Sequence, residues 1–297
     1  MKKIALFIFI VLISCNDKNN QNPNIVFIMS DDHTSQAWGI YGGILSDYVK
    51  NDGIKRLANN GTVLNNLFCT NSICVPSRAS ILTGKYSHIN GVYNLPDALS
   101  PDSLNIAKIL KENGYQTSII GKWHLKKEPS GFDYYKVLPG QGLYHDPYFK
   151  TVENWEDGYS GGKKEKGFSA DIIGDSSIEW LSSISKDKPF FMMTHFKATH
   201  EPFDYPERHN DLNKDVVFPE PQSLYEFDSN ESGRKHKGQI VENLTERWLN
   251  DTSKNINRYP GMPFSLSTEN KKKYVLSPIK NLLEILLEVV LQLMITL

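Results

Sequence analysis

The sequence predicts an α/β fold in which a mostly parallel central sheet is flanked by helices. Three short apolar runs, at residues 24–29, 115–120 and 188–193, are rich in β-branched or aromatic residues and have the length of buried strands. Segments with helical periodicity separate these runs, which is the alternation typical of parallel sheets. Polar residues follow each run, and open α/β sheets bind their ligands beyond the carboxyl ends of the strands. We therefore expect a functional site at that edge of the sheet.

Composition and charge exclude several classes of protein. The chain has 297 residues, of which 39% are hydrophobic and 23% are charged, as is usual for a globular protein of one large domain or two small ones. A formal net charge of −1 argues against broad electrostatic binding, so we expect no nucleic-acid partner. The three cysteines, Cys15, Cys69 and Cys74, do not indicate a disulfide framework.

The N-terminus has the pattern of a bacterial export signal. Two lysines precede an apolar segment that is too short to cross a bilayer, and the segment ends at Leu12-Ile13-Ser14-Cys15, which resembles a lipobox. We expect residues 1–15 to be a lipoprotein signal peptide ending at the lipidated Cys15, and residues 16–22 to be a polar tether. Ordinary secretion with cleavage nearby is the alternative. A lipid anchor would place the protein in the bacterial cell envelope, in the periplasm or on the outer membrane.

Helices are predicted at residues 52–60, 105–113 and 171–182, and a glycine follows each of the first two. Another helix is predicted from Cys74 to Gly84. The side chains expected to face the core are Ile54, Leu57, Ala58, Ile81, Leu82, Ile106, Ile109, Leu110, Ile172, Ile173, Ile178 and Leu181.

The helix that starts at Cys74 has the most distinctive sequence. Pro76 suits the first helical turn, because proline has a fixed φ and no amide hydrogen to donate. Cys74 would lie at the positive end of the helix beside Arg78, in a pocket suited to an anion, where the thiol pKa would be lowered. The alternative is a buried structural thiol.

Asp31 and Asp32 follow the first predicted strand. Adjacent carboxylates repel each other, so a folded protein usually places them in solvent or around a cation. Both interpretations are open from the residues alone, although the position at a strand end favours a metal site.

Histidine and lysine side chains follow the other two predicted strands. Lys122 and His124 come after the second strand, and residues separated by one position point the same way in an extended chain. His200 comes after the third strand, and the nearer His195 is expected to be structural or to lie at the pocket rim. A single histidine is more often structural than functional, so the pattern alone assigns no role.

Two aromatic and glycine-rich segments, residues 131–136 and 139–144, connect the second predicted strand to the next helix. Such loops either stack on sugar rings during substrate recognition or are ordinary irregular surface. The polar, proline-punctuated residues 204–263 are expected to be a long excursion over the surface.

These residues resemble the sulfatase family. Cys74-Val-Pro-Ser-Arg78, with Thr83-Gly84 behind it, matches the family signature C-x-P-S-R followed by T-G, and Gly121-Lys-Trp-His124 is similar to a second block of the family. The resemblance covers residues 23–270. It implies an alkaline-phosphatase-like sandwich that is truncated at the C-terminus.

The resemblance also implies how the nucleophile is made. A formylglycine-generating or sulfatase-maturing enzyme would oxidise Cys74 to formylglycine, whose hydrate attacks the substrate and is held in an ionised state with the help of Arg78. The oxidised side chain would ligate Ca²⁺ together with Asp31 and Asp32.

The same resemblance implies a sulfuric ester hydrolase that acts on sulfated carbohydrates. Lys122 would contact the sulfate, His200 would contact the bridging ester oxygen, and His124 would work beside the formylglycine. Glycosaminoglycan or mucin sugars are the expected substrates, with N-acetylglucosamine 6-sulfate favoured. The alternatives are an inactive truncated homologue that at most binds sulfated glycans, and a phosphoester hydrolase, which would use Thr or Ser in place of Cys74.

The C-terminal part departs from the family pattern. Residues 23–270 correspond to an incomplete catalytic domain, because the Asp-Asn pair with which sulfatases complete the calcium site is not found. Residues 271–297 form an aberrant apolar tail, which we attribute to a shift of reading frame near residues 271–273; insertion of the tail into a membrane is a weaker alternative. Resequencing the gene tests this hypothesis, since an unbroken frame there would contradict it.

Overall fold

A six-stranded sheet lies at the centre of the part of the chain that this computed structural model describes, residues 22–155 and 160–220. The strand order is β1-β6-β2-β3-β4-β5; the first four strands in that order are parallel, and β4 pairs antiparallel with both β3 and β5. The strands are β1 (Ile25–Met29), β2 (Gln116–Lys122), β3 (Tyr134–Leu138), β4 (Tyr148–Thr151), β5 (Lys163–Lys164) and β6 (Phe190–His195). The predicted α/β class and mostly parallel sheet are confirmed.

Helices flank the sheet close to where the sequence places them. They are α1 (Asp52–Asn59), α2 (Cys74–Thr83), α3 (Ser87–Asn90), α4 (Ile106–Glu112) and α5 (Ser169–Ser183), with short 3₁₀ turns at Ser35–Ala37, Gly39–Tyr41, Val152–Asn154 and Glu207–His209. Gly84 follows α2 in the left-handed conformation, at φ 65°, and its amide donates to the Ser80 carbonyl. This glycine ends the helix as predicted.

The predicted inner faces of the helices are only partly right. Five of the side chains expected in the core are exposed, namely Leu57, Ile81, Ile106, Ile109 and Ile178. The error arises because periodicity gives the width of an apolar stripe, whereas the neighbouring elements decide which part of it is covered. In α5, for example, Ile173 and Trp180 pack against the sheet while Ile178 is 65% exposed.

The segment at residues 131–136 is part of the core rather than a recognition loop. Phe132 is 7% exposed and Tyr135 is 2% exposed, and Tyr134–Leu138 is the strand that pairs in parallel with β2. The aromatic residues that suggested sugar stacking therefore fill the space beneath the sheet.

Several predictions concern residues outside the described part of the chain. They include the signal peptide, Cys15, most of the tether, and everything from residue 221 onward, the apolar tail among them. Within residues 22–155 and 160–220, none of the helices combines the length and the apolar character needed to cross a membrane.

Candidate active site

The carboxyl ends of β1, β6 and β2 meet at one edge of the sheet. Met29 pairs with His195, and Gly121 pairs with the same residue from the other side. The polar residues that follow the three strands are therefore brought together, although they are far apart in the chain. This edge is where the sequence predicts the functional site.

Asp31 is the centre of the cluster. It is only 5% exposed, Arg78 Nη2 lies 3.2 Å from its Oδ1, and Lys122 Nζ forms an ion pair with its Oδ2. Burial by itself would raise the pKa of Asp31, but the charges of Arg78 and Lys122 hold that pKa below its usual value. The carboxylate is thus ionised and compensated by two cations.

Cys74 is the first residue of α2, and its Sγ lies 3.8 Å from Asp31 Oδ1 and 3.9 Å from Lys122 Nζ. The prediction of a lowered thiol pKa is wrong. Burial raises the pKa of Cys74, and the carboxylates of Asp31 and Asp32 add to this effect, which Lys122 and Arg78 do not overcome. The sequence shows the helix terminus and the arginine, but it does not show the burial of the thiol or the nearby carboxylate of Asp31.

Arg78 is held in place by contacts on both sides of its guanidinium. Besides the Asp31 ion pair, its Nη1 donates to the Lys122 carbonyl at 2.6 Å and lies 3.2 Å from His195 Nδ1. Burial, and then the charge of Arg78, lowers the pKa of His195 to about 3. A neutral, fully enclosed imidazole beside Arg78 agrees with the structural role predicted for His195.

Lys122 has no exposed surface, and its ammonium also donates to Gln141 Oε1 at 2.6 Å. Burial lowers the pKa of Lys122, and the Asp31 carboxylate opposes that shift. Sequence reasoning missed Gln141. Its position between two glycines in the segment 139–144 is the only signal that could have indicated it.

His124 reaches the cluster by a different route from the one predicted. The strand ends at Lys122, and His124 has a positive φ of 59°, so the two side chains are not aligned by an extended backbone. Burial, followed by the charges of Lys122 and Arg78, lowers the pKa of His124 to about 3. His124 is therefore a neutral imidazole next to the cations of the site.

His200 faces the site from the turn after β6. Its Nδ1 lies 2.8 Å from the Glu201 carbonyl oxygen, so this nitrogen carries a hydrogen, because a carbonyl can only accept. Its Nε2 lies 3.7 Å from Asp32 Oδ2. Nε2 is consequently the ring nitrogen of His200 that is directed at the site.

Comparison with known proteins shows the family to which this chain belongs. The family model described as Sulfatase matches residues 23–246, about three quarters of the chain. The chain belongs to the sulfatase family.

Curated relatives and solved structures agree with that assignment. An N-acetylglucosamine-6-O-sulfatase of Bacteroides thetaiotaomicron is 41% identical over 238 residues, which cover 78% of this chain and 40% of that protein. An ulvan-active sulfatase of Formosa agariphila is 31% identical over 231 residues, covering 71% of this chain and 44% of that protein. A structure solved in complex with its substrate D-glucosamine-2-N,6-O-disulfate superimposes with a TM-score of 0.72 at 34% identity, covering 89% of this chain and 54% of the other. The sulfatase-family chain thus spans less than half the length of these two curated relatives.

The residues of this sulfatase-family chain fit part of a calcium site. Ca²⁺ prefers six to eight oxygen ligands. The buried carboxylate of Asp31 and the more exposed one of Asp32 are suitable donors, and an oxidised Cys74 would replace a soft sulfur by oxygen. Among the described residues, the potential ligand atoms that lie within 4.8 Å of one another belong to Asp31, Cys74 and His200, a set that does not include Asp32.

A layer of residues behind His200 was also missed by sequence reasoning. Tyr144 is fully buried and donates to the His200 carbonyl at 2.5 Å, and the ammonium of the buried Lys197 lies 4.8 Å from the centre of the Tyr144 ring. Burial lowers the pKa of Lys197 to about 8, with a further contribution from the charge of Lys122. The signal for Lys197 was its place three residues before His200, in the block that follows the third strand.

Proposed function

We propose that the protein hydrolyses sulfate esters of carbohydrates. The observation that carries the proposal is the convergence of Cys74, Arg78, Lys122 and His200 on the buried carboxylate of Asp31. This arrangement combines a nucleophile position, two fixed cations and a proton donor at the carboxyl edge of a parallel sheet.

The proposal includes oxidation of Cys74 to formylglycine by a maturing enzyme and binding of Ca²⁺ by Asp31 and Asp32. The hydrated aldehyde would supply an oxygen nucleophile, and the metal would supply positive charge for the sulfate oxygens. Lys122 and Arg78 add two fixed positive charges beside the nucleophile position, where they favour an ionised hydroxyl and an anionic substrate.

Two histidines would move the protons. His200 Nδ1 faces the Glu201 carbonyl, which leaves Nε2 directed at the site, 3.7 Å from Asp32 Oδ2. His200 would therefore donate a proton to the departing sugar hydroxyl as the S–O ester bond breaks. Burial and the nearby cations lower the pKa of His124 to about 3, so it is neutral near pH 7 and would be the histidine that accepts the proton of the second hydroxyl when sulfate leaves.

The substrate assignment follows from the relatives. One is named for N-acetylglucosamine 6-O-sulfate, and the superimposed structure contains glucosamine disulfate with a 6-O-sulfate. We infer that a 6-sulfated glucosamine unit, of the kind found in glycosaminoglycans or mucins, is the substrate class.

The experiment is a measurement of sulfate release from N-acetylglucosamine 6-sulfate, with calcium present and a formylglycine-generating enzyme co-expressed. Cys74→Ala is the matched control, because it removes the oxidisable side chain. We expect release by the wild-type chain and none by the variant. Absence of release, with formylglycine confirmed at residue 74 by mass spectrometry, would contradict the proposal for this substrate.

A second function is favoured by one observation. Both oxygens of Asp31 are already paired with Arg78 and Lys122, and among the described His, Cys, Asp and Glu residues the clustered potential ligands are Asp31, Cys74 and His200, fewer than the six to eight oxygens that Ca²⁺ prefers. Such a chain could bind sulfated glycans without hydrolysing them. Calorimetric titration with Ca²⁺ separates the two functions, since the binding-only chain would take up no calcium at its site while still binding the sulfated sugar.

We also propose that the protein is exported and anchored in the cell envelope through a lipid on Cys15. Support comes from the lipobox-like sequence alone. Cys15→Ser should release the protein from the membrane fraction into the soluble fraction, and retention of the variant in membranes would contradict the anchor.

A further inference from the structure

A cavity of about 520 Å³ lies beside the active site, within the size range of ligand sites. It opens at the carboxyl end of β3, whose last residue, Leu138, pairs with Lys122. The cavity therefore lies along the same edge of the sheet as the active site. Its lining residues are Pro139, Gln141, Gly142, Leu143, Tyr148 and Gly161.

Gln141 joins the cavity to the active site. Its Oε1 accepts the 2.6 Å hydrogen bond from Lys122 Nζ, while the residue itself is exposed and lines the cavity. With its oxygen held by the buried ammonium, the side chain still has two amide hydrogens to donate. The Gln141 carboxamide thus lies between the cavity and Lys122, the residue predicted to bind the sulfate.

The loop that presents Gln141 is tightly fixed. The Gly142 amide donates to the Pro139 carbonyl at 3.0 Å, which closes a turn with Gln141 inside it. Gly142 has a φ of 69°, and a Cβ at this position would lie 2.7 Å from the Leu138 side chain. Another residue here would have a strained φ and would have to displace the Leu138 side chain, so the turn is packed directly on the end of β3.

The chemistry of the lining suits a pyranose ring. Tyr148 is 40% exposed and presents an aromatic face, to which Pro139 and Leu143 add apolar surface. Aromatic and apolar faces pack against the C–H face of a sugar, and the Gln141 amide supplies a hydrogen-bond donor at the end nearest Lys122. Among the described residues that line the cavity none is charged, which suits a neutral sugar.

We infer that this cavity is a second sugar subsite, which binds the unsulfated sugar next to the sulfated unit of an oligosaccharide, with Tyr148 as its stacking platform. The inference rests on the proposed function, because the sulfated unit must occupy the site at Asp31 and Lys122. It adds that the protein recognises a chain of sugars rather than a single sulfated monosaccharide.

The test compares two ligands by calorimetry, using the full chain with calcium and with Cys74 left unoxidised so that no turnover occurs. One ligand is N-acetylglucosamine 6-sulfate, and the other is a trisaccharide that carries the same unit at one end and is otherwise unsulfated. We expect the wild-type chain to bind the trisaccharide about tenfold more tightly. Tyr148→Ala should remove that advantage and leave the affinity for the monosaccharide unchanged, whereas Tyr148→Phe, which retains the ring, should keep most of it.

Tyr86→Ala is the matched control, because Tyr86 is 60% exposed but lines a different cavity. It should keep the tenfold advantage. Equal affinities of the wild-type chain for the two ligands would overturn the subsite but leave the proposed function intact. A higher affinity for the trisaccharide that persists in Tyr148→Ala would have the same consequence. Failure of the wild-type chain to bind either ligand would count against both the subsite and the proposed function.

Discussion

At the scale of single residues, Asp31 determines the electrostatics of the site. Its carboxylate is buried with two cations, Arg78 and Lys122, and removing one partner of such a buried pair commonly costs about 3–5 kcal/mol. Burial, with a contribution from the same carboxylate, raises the pKa of Cys74, so this thiol at the start of a helix and near two cations is not the reactive one that its sequence suggests. The charge and reactivity of each site residue therefore depend on a buried counter-ion that is distant in sequence.

The raised pKa of Cys74 leads to a prediction about its reactivity before oxidation. The thiolate is the reactive form, so a pKa above the ordinary value means that Cys74 reacts slowly near pH 7 and that its rate increases only at more alkaline pH. The exposed Cys69 serves as the internal reference in the same molecule. Timed alkylation with iodoacetamide, followed by peptide mass spectrometry, should show Cys69 modified well before Cys74 at pH 7. Faster alkylation of Cys74 would mean that the cations outweigh burial after all.

At the scale of elements, the close pairing of β2 with β6 depends on Gly121. This residue has a φ of 105°, and a Cβ there would lie 1.9 Å from the backbone oxygen of His195. No side chain can be accommodated without moving β2 or β6. The pairing in turn holds Lys122 and His195 at the edge where the site forms.

We therefore expect Gly121→Ala to reduce the free energy of unfolding by about 3 kcal/mol or more, through the clash and the unfavourable φ together. Gly91→Ala is the matched control, because Gly91 also has a positive φ, 78°, but its Cβ would have nothing within 4 Å. That variant should lose only about 1–2 kcal/mol, the cost of the left-handed conformation alone. Urea unfolding followed by circular dichroism measures both, and similar losses would show that the contact with His195 is not decisive.

At the scale of the whole molecule, the described part of the chain exposes apolar side chains on both faces of β1. Val26 and Ile28 are 47% and 60% exposed on one face. Leu67 and Phe68 are 78% and 84% exposed, and with Phe27 they line a cavity of about 690 Å³ on the other face. Within residues 22–155 and 160–220, β1 is also an edge strand, and exposed apolar edges promote association.

A charge placed on this surface should therefore reduce self-association. We expect Ile28→Lys to raise the protein concentration at which light scattering first detects oligomers. Ile178→Lys is the matched control, because Ile178 is similarly exposed at 65% but lies on α5, and the variant gains the same charge. If both variants improve solubility equally, net charge rather than the β1 surface would be responsible.

The sequence by itself determined the family and the strands that end at the site, because signatures and hydrophobic runs are local patterns. It also singled out the candidate site residues, which are Asp31, Cys74, Arg78, Lys122, His124 and His200. It did not determine which side of each helix is covered, the burial of Phe132 and Tyr135, or the contact between Gln141 and Lys122. Those features depend on the register of parallel strands that are far apart in the chain, with β1 beside β6 and β6 beside β2. The direction of the Cys74 pKa is the clearest case, since it follows from burial and from the distance to a carboxylate 43 residues away, and only the tertiary structure sets both.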